Sequence, residues 1–495
     1  MVHVLTGDEN RRHTCISSLF DFHEGGSCNI QKSVPLWKKV RRRMARERVT
    51  RIHKGLDIKL KGTAEKVFTR IGVKGDYTLY PADFPGLVPH LLVQEGELVK
   101  AGTPLFTDKK DERIRFASPV SGKVVAVERG ERRRILRVVV RCEEEKLEFE
   151  EFTPLVAPTA SREELVNLLL QGGVWPYLRQ RPFNVIPSPD VTPRDIFISA
   201  FDTAPLAPDM DFAIKDDGAS FQAGIDILSR LTSGKVHIGV NVNYPPHQAF
   251  ATARAEIHRF SGPHPAGNVG VQIHHTAPIA KGEVVWTIHP LDVVFIGRLV
   301  TTGHYDVRRI VAVAGSEVNK PRYYTAMVGS PLQNLLQDQL TPDANVRVIS
   351  GNVLTGTKEA RDGGLHFYHH MVTVIPEGNH HEFMGWAMPG FGKFSASRLF
   401  SSFLSPRKEY VLDTNLHGGE RAFVVSGQYE KVFPMRIYPV HLLKAILAGN
   451  IEQMEDLGIY EVAEEDFALC EFVCTSKIDS QQIVRRGLDL MIREL

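Results

Sequence analysis

Cysteine is scarce: five in 495 residues. That is too few for a disulfide framework, so a reducing cytoplasm is the default compartment. Long apolar runs are missing too. No stretch approaches the roughly 18 uncharged apolar residues of a membrane-spanning helix. Net charge is nearly absent, with 60 Lys and Arg against 58 Asp and Glu, which excludes a strong overall polyanion- or polycation-binding character. Hydrophobic residues at 43% and charged residues at 24% exclude wholesale disorder. At roughly 150 residues per domain, the length indicates about three domains.

The charge balance hides an asymmetry. Residues 1–48 hold ten Lys or Arg and five acids. They show no helical or strand period and no apolar core of a secretory signal. They read as a disordered basic extension. A basic arm gripping anionic lipid or nucleic acid is the less favoured reading, because folded sequence follows at once.

From 49 to 150 the chain alternates short strand-like runs with glycine turns, the pattern of a small β-barrel or sandwich. The segment VQEGELVKAGTPLFTDKK, followed by FASPVSGKVVAV, resembles a lipoyl or biotinyl carrier domain. Asp108-Lys109 stands where the modified lysine would be. Lys110 is charged where that pattern wants a small apolar residue, so the reading is a lipoyl-like β domain without the carrier function.

Residues 151–305 read as a Rossmann-like α/β domain. SREE (161–164) is a capping box that opens a helix. Strands are expected at 196–201, 235–242 and 256–260. Between the first two, Phe221, Ile225, Leu228 and Leu231 mark a helix face at i, i+4, i+7 and i+10. Such a βαβαβ unit usually implies a nucleotide, yet no G-x-G-x-x-G follows a strand. The glycine run 262–270 has the wrong spacing, with Asn268-Val269 where a P-loop needs Lys-Ser/Thr. The run 351–356 is followed by Thr357-Lys358, the reverse order. The domain is therefore expected to lack a nucleotide loop. RQRPF (179–183) reads as a surface turn anchored by Phe183. His274-His275, read as strand residues, point to opposite faces, so at most one could serve a metal.

Residues 306–380 fit a small β-grasp module, and 381–495 a mostly helical C-terminal domain. The aromatic-rich stretch 383–404 contains Lys393 and Arg398. It is too interrupted to span a membrane, and an apolar face packed on a partner or on the core is favoured. Outside the extension only Cys142, Cys470 and Cys474 remain. A [4Fe–4S] cluster normally takes four thiolates, so a cysteine-only cluster is excluded. Cys470 and Cys474 read as half-buried thiols.

From residue 49 onward a series of motifs keeps its order along the chain: KGLDIKLKG, ASPVSGKVV, RQRPF, FDTAPLA, SGPHPAGNVG, VNKPR, ISGNVLTGTK, GWAMPG, TNLHGGERA, YEKVFPM and EEDFALCEFVC. On these motifs the chain resembles the A-subunit family of sodium-translocating NADH:quinone reductases. The β-grasp module is then of the SLBB type. The resemblance implies a peripheral subunit on the cytoplasmic face of the inner membrane, seated on the other five subunits, chiefly the adjacent membrane subunit. That complex passes electrons from NADH through flavins and iron–sulfur centres to ubiquinone and exports Na⁺. The chain would be part of a translocating oxidoreductase with no complete active site of its own. The flavins and clusters are expected on other subunits, and no metal or catalytic residue is assigned to this one. Nucleic acid is not an expected partner. The fold also resembles the flavoprotein subunit of respiratory complex I, with the cofactor apparatus lost. The alternative is therefore a flavin- or NADH-binding dehydrogenase subunit, and a minor one is a lipoyl-type carrier.

The family has been connected with quinone binding. In a doubly wound half, ligands sit outside the carboxyl ends of the strands. The loop after the strand ending near Phe260 lies at that rim. Gly262, His264, Pro265, Gly267 and Gly270 are thus the candidate quinone or partner crevice, with His264 as the titratable group placed to bond a carbonyl.

Overall fold

The computed structural model describes residues 49–155, 159–341, 344–380, 385 and 390–494. The expectation for residues 1–48, and six residues of the aromatic stretch 383–404, lie outside them.

The glycine-punctuated strands between 75 and 142 close on one another. One sheet runs Gly75–Leu79, Ile135–Cys142, Gly122–Arg129, Leu98–Val99, and the other Pro89–Leu91, Pro104–Asp108, Asp111–Ala117. Between them Phe116, Val124, Val138 and Val140 are fully buried. This is the expected barrel-sandwich hybrid. Lys109 and Lys110 form the exposed two-residue tip of its hairpin.

The α/β domain is built on six strands: β1 (Val49–Arg51), β2 (Arg179–Arg181), β3 (Ile196–Ser199), β4 (Val236–Asn241), β5 (Glu256–Ser261) and β6 (Val285–Thr287). Their order in space is β1-β5-β4-β3-β6-β2. All neighbours are parallel except β2, which runs antiparallel to β6. Helix α1 (Arg162–Gln171) starts at the expected capping box: Ser161 Oγ accepts from the Glu164 N–H at 3.2 Å, and the Ser161 N–H donates to Glu164 Oε2 at 2.6 Å. Helix α2 (Gly218–Leu231) buries all four residues of its expected apolar face. It crosses α4 (Pro290–Thr302) where Cβ atoms would collide: one on Gly297 would lie 1.8 Å from the Ser220 carbonyl oxygen. The crossover between β4 and β5 has only one helical turn, Gln248–Ala251. Between β5 and β6 lies α3 (Val269–Thr276). It contains His274 and His275, which are therefore helical and not, as expected, strand residues. The alternation rule for strands does not apply to them.

The fourth sheet orders Thr357–Glu359, Val346–Ser350, Met371–Pro376, Arg309–Ala314, Arg322–Ala326 and Glu65–Thr69. It carries the expected β-grasp module. The C-terminal helices run from Tyr429–Val432 to Ser480–Glu494. The described residues between 390 and 427 form no helix beyond the short turn Ser401–Leu404.

Within the expected first domain, the strands of residues 49–69 pair outside the two sandwich sheets. β1 pairs with β5 at the edge of the α/β sheet, and Glu65–Thr69 pairs with Arg322–Ala326 in the β-grasp sheet. Both strands are mostly exposed edges. Their partners lie roughly 200 residues away, so no local pattern reveals the pairing.

Candidate functional site

The order β5-β4-β3 grows to one side of β3, while β6 lies on the other. The sheet therefore reverses direction between β3 and β6. Outside the carboxyl ends of those strands the connections diverge and leave a crevice. A cavity of about 200 Å³ lies there. Phe201 and Asp202 line it after β3, His264 and Gly267 after β5, and His289 and Asp292 after β6. Two other domains close it, with Asn352 and Leu354 from the β-grasp module and Glu465 from the C-terminal domain. Sites at domain junctions are a common place for small ligands.

The loop after β5 delivers part of the expected crevice. Gly262 has φ +139°, and a Cβ there would lie 2.3 Å from the Ile52 carbonyl oxygen. It holds the loop against the residue following β1 and does not line the cavity. His264 is only 4% exposed. Its N–H donates to Asp57 Oδ1 at 2.9 Å and its carbonyl accepts from the Leu56 N–H at 2.8 Å. The Gly267 N–H donates to Thr203 Oγ1 at 2.9 Å, and the hydroxyl lies 3.1 Å from His264 Nδ1. While accepting from Gly267, the Thr203 hydroxyl keeps a proton that it can donate to Nδ1, and in that tautomer the ring hydrogen is on Nε2. Burial pushes this imidazole down to about 4, so at neutral pH it is an uncharged donor. A Cβ on Gly267 would lie 2.7 Å from the Thr203 nitrogen. Pro265 and Gly270 do not line the cavity. Gly270 lies within α3, where a Cβ would press on Arg181 Nη1 and Asp466 Oδ1, each at 2.6 Å.

At the wall of the cavity begins a cluster that sequence reading missed. His370 Nδ1 lies 3.1 Å from the Tyr368 carbonyl, so it donates. His370 Nε2 then accepts from Arg309 Nη1 at 3.1 Å. Asp292 Oδ1 approaches the same Nε2 at 2.9 Å, a contact that is attractive only with a proton between the two atoms. Burial raises the Asp292 carboxyl to about 6 and depresses the His370 imidazole well below its ordinary value. His289 stacks on His370 with ring centroids 3.6 Å apart, and burial depresses it as well. Asp292 is thus a carboxyl poised to hold a proton at the cavity wall. Its only local signal was an acid inside an otherwise apolar helix, PLDVVFIG.

RQRPF is not a surface turn. Arg181 is 1% exposed, and its guanidinium reaches Asp466 Oδ2 at 2.9 Å and the Glu465 carboxylate. Asn184 Nδ2 donates to Glu464 Oε2 at 2.9 Å, and Arg485 Nη1 donates to the Phe183 carbonyl at 2.9 Å. A buried arginine survives because three acids of the EED run surround it. These segments are about 280 residues apart, so the pairing had no sequence signal. Arg179 lies over the Tyr368 ring, 4.6 Å from its centroid, at the cavity wall. His274 ties α3 to the C-terminal domain: Nδ1 lies 2.6 Å from Glu461 Oε2, and Nε2 accepts from the Arg436 N–H at 3.0 Å. Cys142, Cys470 and Cys474 are all buried, not half-buried. Burial raises the Cys470 thiol well above its ordinary value, which suits a packed apolar group.

Residues 50–143 match the family model of the NqrA N-terminal barrel-sandwich hybrid domain, 160–305 that of the NqrA second alpha/beta domain, and 310–360 that of the NQRA C-terminal domain. The A-subunit of the Na(+)-translocating NADH-quinone reductase of Neisseria meningitidis is 39% identical over 449 residues, covering 90% of this chain and 99% of that protein. Its counterpart in Yersinia pestis is 40% identical over 440 residues, covering 88% and 97%. Among solved structures, an NAD+-reducing [NiFe]-hydrogenase in the H2-reduced state aligns with 12% identity and a TM-score of 0.34, over 69% of this chain and 63% of that one.

Proposed function

This chain belongs to the A-subunit family of Na(+)-translocating NADH-quinone reductases, and we propose that it is a peripheral, quinone-side component that binds no flavin or iron–sulfur centre itself. It would sit at the cytoplasmic face of the inner membrane against the other five subunits, where NADH electrons reach ubiquinone and Na⁺ is exported. One observation carries the reading. RQRPF, FDTAPLA, SGPHPAGNVG, ISGNVLTGTK and EEDFALC, far apart in sequence, each contribute to the wall of one cavity. A cavity of that size holds one substituted six-membered ring. A quinone headgroup offers two carbonyl acceptors on an apolar ring. The His264 Nε2–H is a neutral donor for one of them, and Phe201 and Leu354 supply apolar wall. The connection after β3 favours this over the flavin- or NADH-binding alternative. Residues 200–209 contain no glycine, so nothing there lets a backbone approach a pyrophosphate closely.

The test is quinone affinity of the purified chain, followed by activity of the assembled complex. His264→Ala removes the donor, and Gly267→Val drives a Cβ against the Thr203 backbone and displaces the rim loop. The first is expected to weaken quinone binding about tenfold, the worth of one hydrogen bond in a buried site, and the second to weaken it by deforming the rim. NADH oxidation by an artificial acceptor should persist, since NADH is expected to enter elsewhere in the complex. Unchanged quinone affinity in both variants would reduce the cavity to a packing feature.

A further inference from the structure

The amino-terminal ends of the same strands, at the other edge of the sheet from the cavity, gather a second set of groups. In the β4–β5 pair His237 stands opposite Glu256, and Gly239 opposite His258. Partners in a parallel pair share a face, and so do residues two apart. His237, Glu256 and His258 therefore project together, beside Gln272, whose amide fills the space over Gly239. His237 Nδ1 lies 2.8 Å from His258 Nε2 and 3.7 Å from Glu256 Oε2. One donor atom from each of the three lies within 4.8 Å of the others.

We propose that these three residues form a binding site for a divalent transition metal, Zn²⁺ being the best fit. Two imidazoles and a carboxylate are the ligand types zinc takes, with a solvent molecule in the fourth position. Two nitrogens on a tetrahedral zinc at about 2.05 Å lie roughly 3.3 Å apart, so the ion needs the histidines to part by only about half an ångström. His237 is already held for the role. Its ring stacks on Phe197 with centroids 4.6 Å apart and 14° between planes. Its far nitrogen, Nε2, is buried without an aligned hydrogen bond, although Asp195 Oδ1 is 3.3 Å away. Asp195 is itself fixed by the Lys235 N–H at 3.0 Å and by Arg194 Nε at 2.9 Å. A carboxylate behind a histidine selects the tautomer that offers its other nitrogen to a metal. Lys235 occupies Glu256 Oε1 and leaves Oε2. The charges facing the site are thus Asp195 and Glu256 against Arg194 and Lys235, with no excess of positive charge to repel a cation. Glu256 and His258 are partly exposed, which gives the ion a route from solvent. The other trio of that kind among the described residues, His289, Asp292 and His370, fails this test, because the Arg309 guanidinium already lies 3.1 Å from His370 Nε2.

The experiment titrates chelator-treated full-length chain with zinc chloride at pH 7.5 by calorimetry, and with Co²⁺ by visible absorption. The chain has 20 histidines, so the difference between parent and variant is what counts. The parent should bind one more equivalent of zinc than His258→Gln, and Co²⁺ should show a tetrahedral visible band that the variant lacks. Asp195→Asn should keep the equivalent but weaken it about 10- to 100-fold. Binding should weaken with acid, because protons compete with the metal for its ligands. If His258→Gln folds poorly without metal, Glu256→Gln replaces it. Equal stoichiometry and affinity in the parent and in a folded variant would overturn the site and leave a hydrogen-bonded cross-strand pair.

Discussion

At the scale of residues, the cavity is a place where burial sets protonation. His264 titrates at about 4 in the folded chain, against about 6.5 when solvated. A depressed pKa contributes stability that is fully present above the unfolded value and is lost as pH falls through the window between the two. From pH 6.5 to 5 the loss for this one group is about 2 kcal/mol. His289 and His370 are depressed by burial and act in the same direction. Asp292, raised by burial to about 6, acts oppositely: its contribution is present at low pH and is lost as pH rises through 6. Asp202 and Glu465, also raised by burial at the cavity wall, act with Asp292, so the His264 contribution is read as a difference between parent and variant. Urea unfolding at pH 7.5 and at pH 5 gives the change in stability on acidification. His264→Asn, whose amide can still meet the Thr203 hydroxyl, should remove about 2 kcal/mol of it. Identical slopes for parent and variant would mean that His264 is not held neutral by its surroundings.

At the scale of elements, the hairpin that carries Lys109 tests how far a resemblance reaches. Lys109 is exposed at the tip, its N–H donates to the Val88 carbonyl at 2.8 Å, and the Lys110 ammonium donates to the Gly86 carbonyl at 3.0 Å. The turn is tied to its own domain by backbone and by its neighbour. Lys109→Ala should therefore change stability by less than about 0.5 kcal/mol and leave turnover of the complex at the parent level; loss of turnover would restore the carrier reading. Elements of this kind were legible in the sequence because their signals are local. The capping box at Ser161, the apolar face of α2 and strands β3, β4 and β5 follow from periods and caps within a few residues. The pairing of β1 with β5, the grip of Glu465 and Asp466 on Arg181, and the Asp292–His370–Arg309 cluster join residues tens to hundreds of positions apart, with no local cue. The cavity itself fell between these cases. The rim loop was placed by the strand-end rule, which found His264 and Gly267. Gly262, Pro265 and Gly270 look the same in sequence, but Gly262 and Gly270 only make room for Ile52 and for the Arg181 ion pair.

At the scale of the whole molecule, one apolar core runs through the β-sandwich and the α/β domain, and a second joins the β-grasp sheet to the C-terminal helices. Ile58 and Leu60, next to the strand that joins the α/β sheet, belong to the second. The cavity lies where these bodies meet, so their relative seating sets its shape. The described residues from 390 to 427 differ from the rest. Phe394, Leu412 and Phe423 anchor this stretch on the second core. Beside these anchors Phe391, Leu399 and Leu404 are 74%, 68% and 70% exposed, and Lys393, Arg398, Arg407 and Lys408 are interspersed with no acid from 390 to 408. Side chains of that size left in water cost free energy unless a partner covers them. The neighbouring membrane subunit is the partner the proposed function supplies. Replacing Phe391, Leu399 and Leu404 together by serine is then expected to leave the melting temperature of the isolated chain within about 2 °C, because exposed side chains contribute little to folding. Recovery of this chain with the membrane subunits after detergent extraction should fall several-fold. A large drop in melting temperature with undiminished recovery would place the three side chains in the chain's own packing and remove this face from the docking surface.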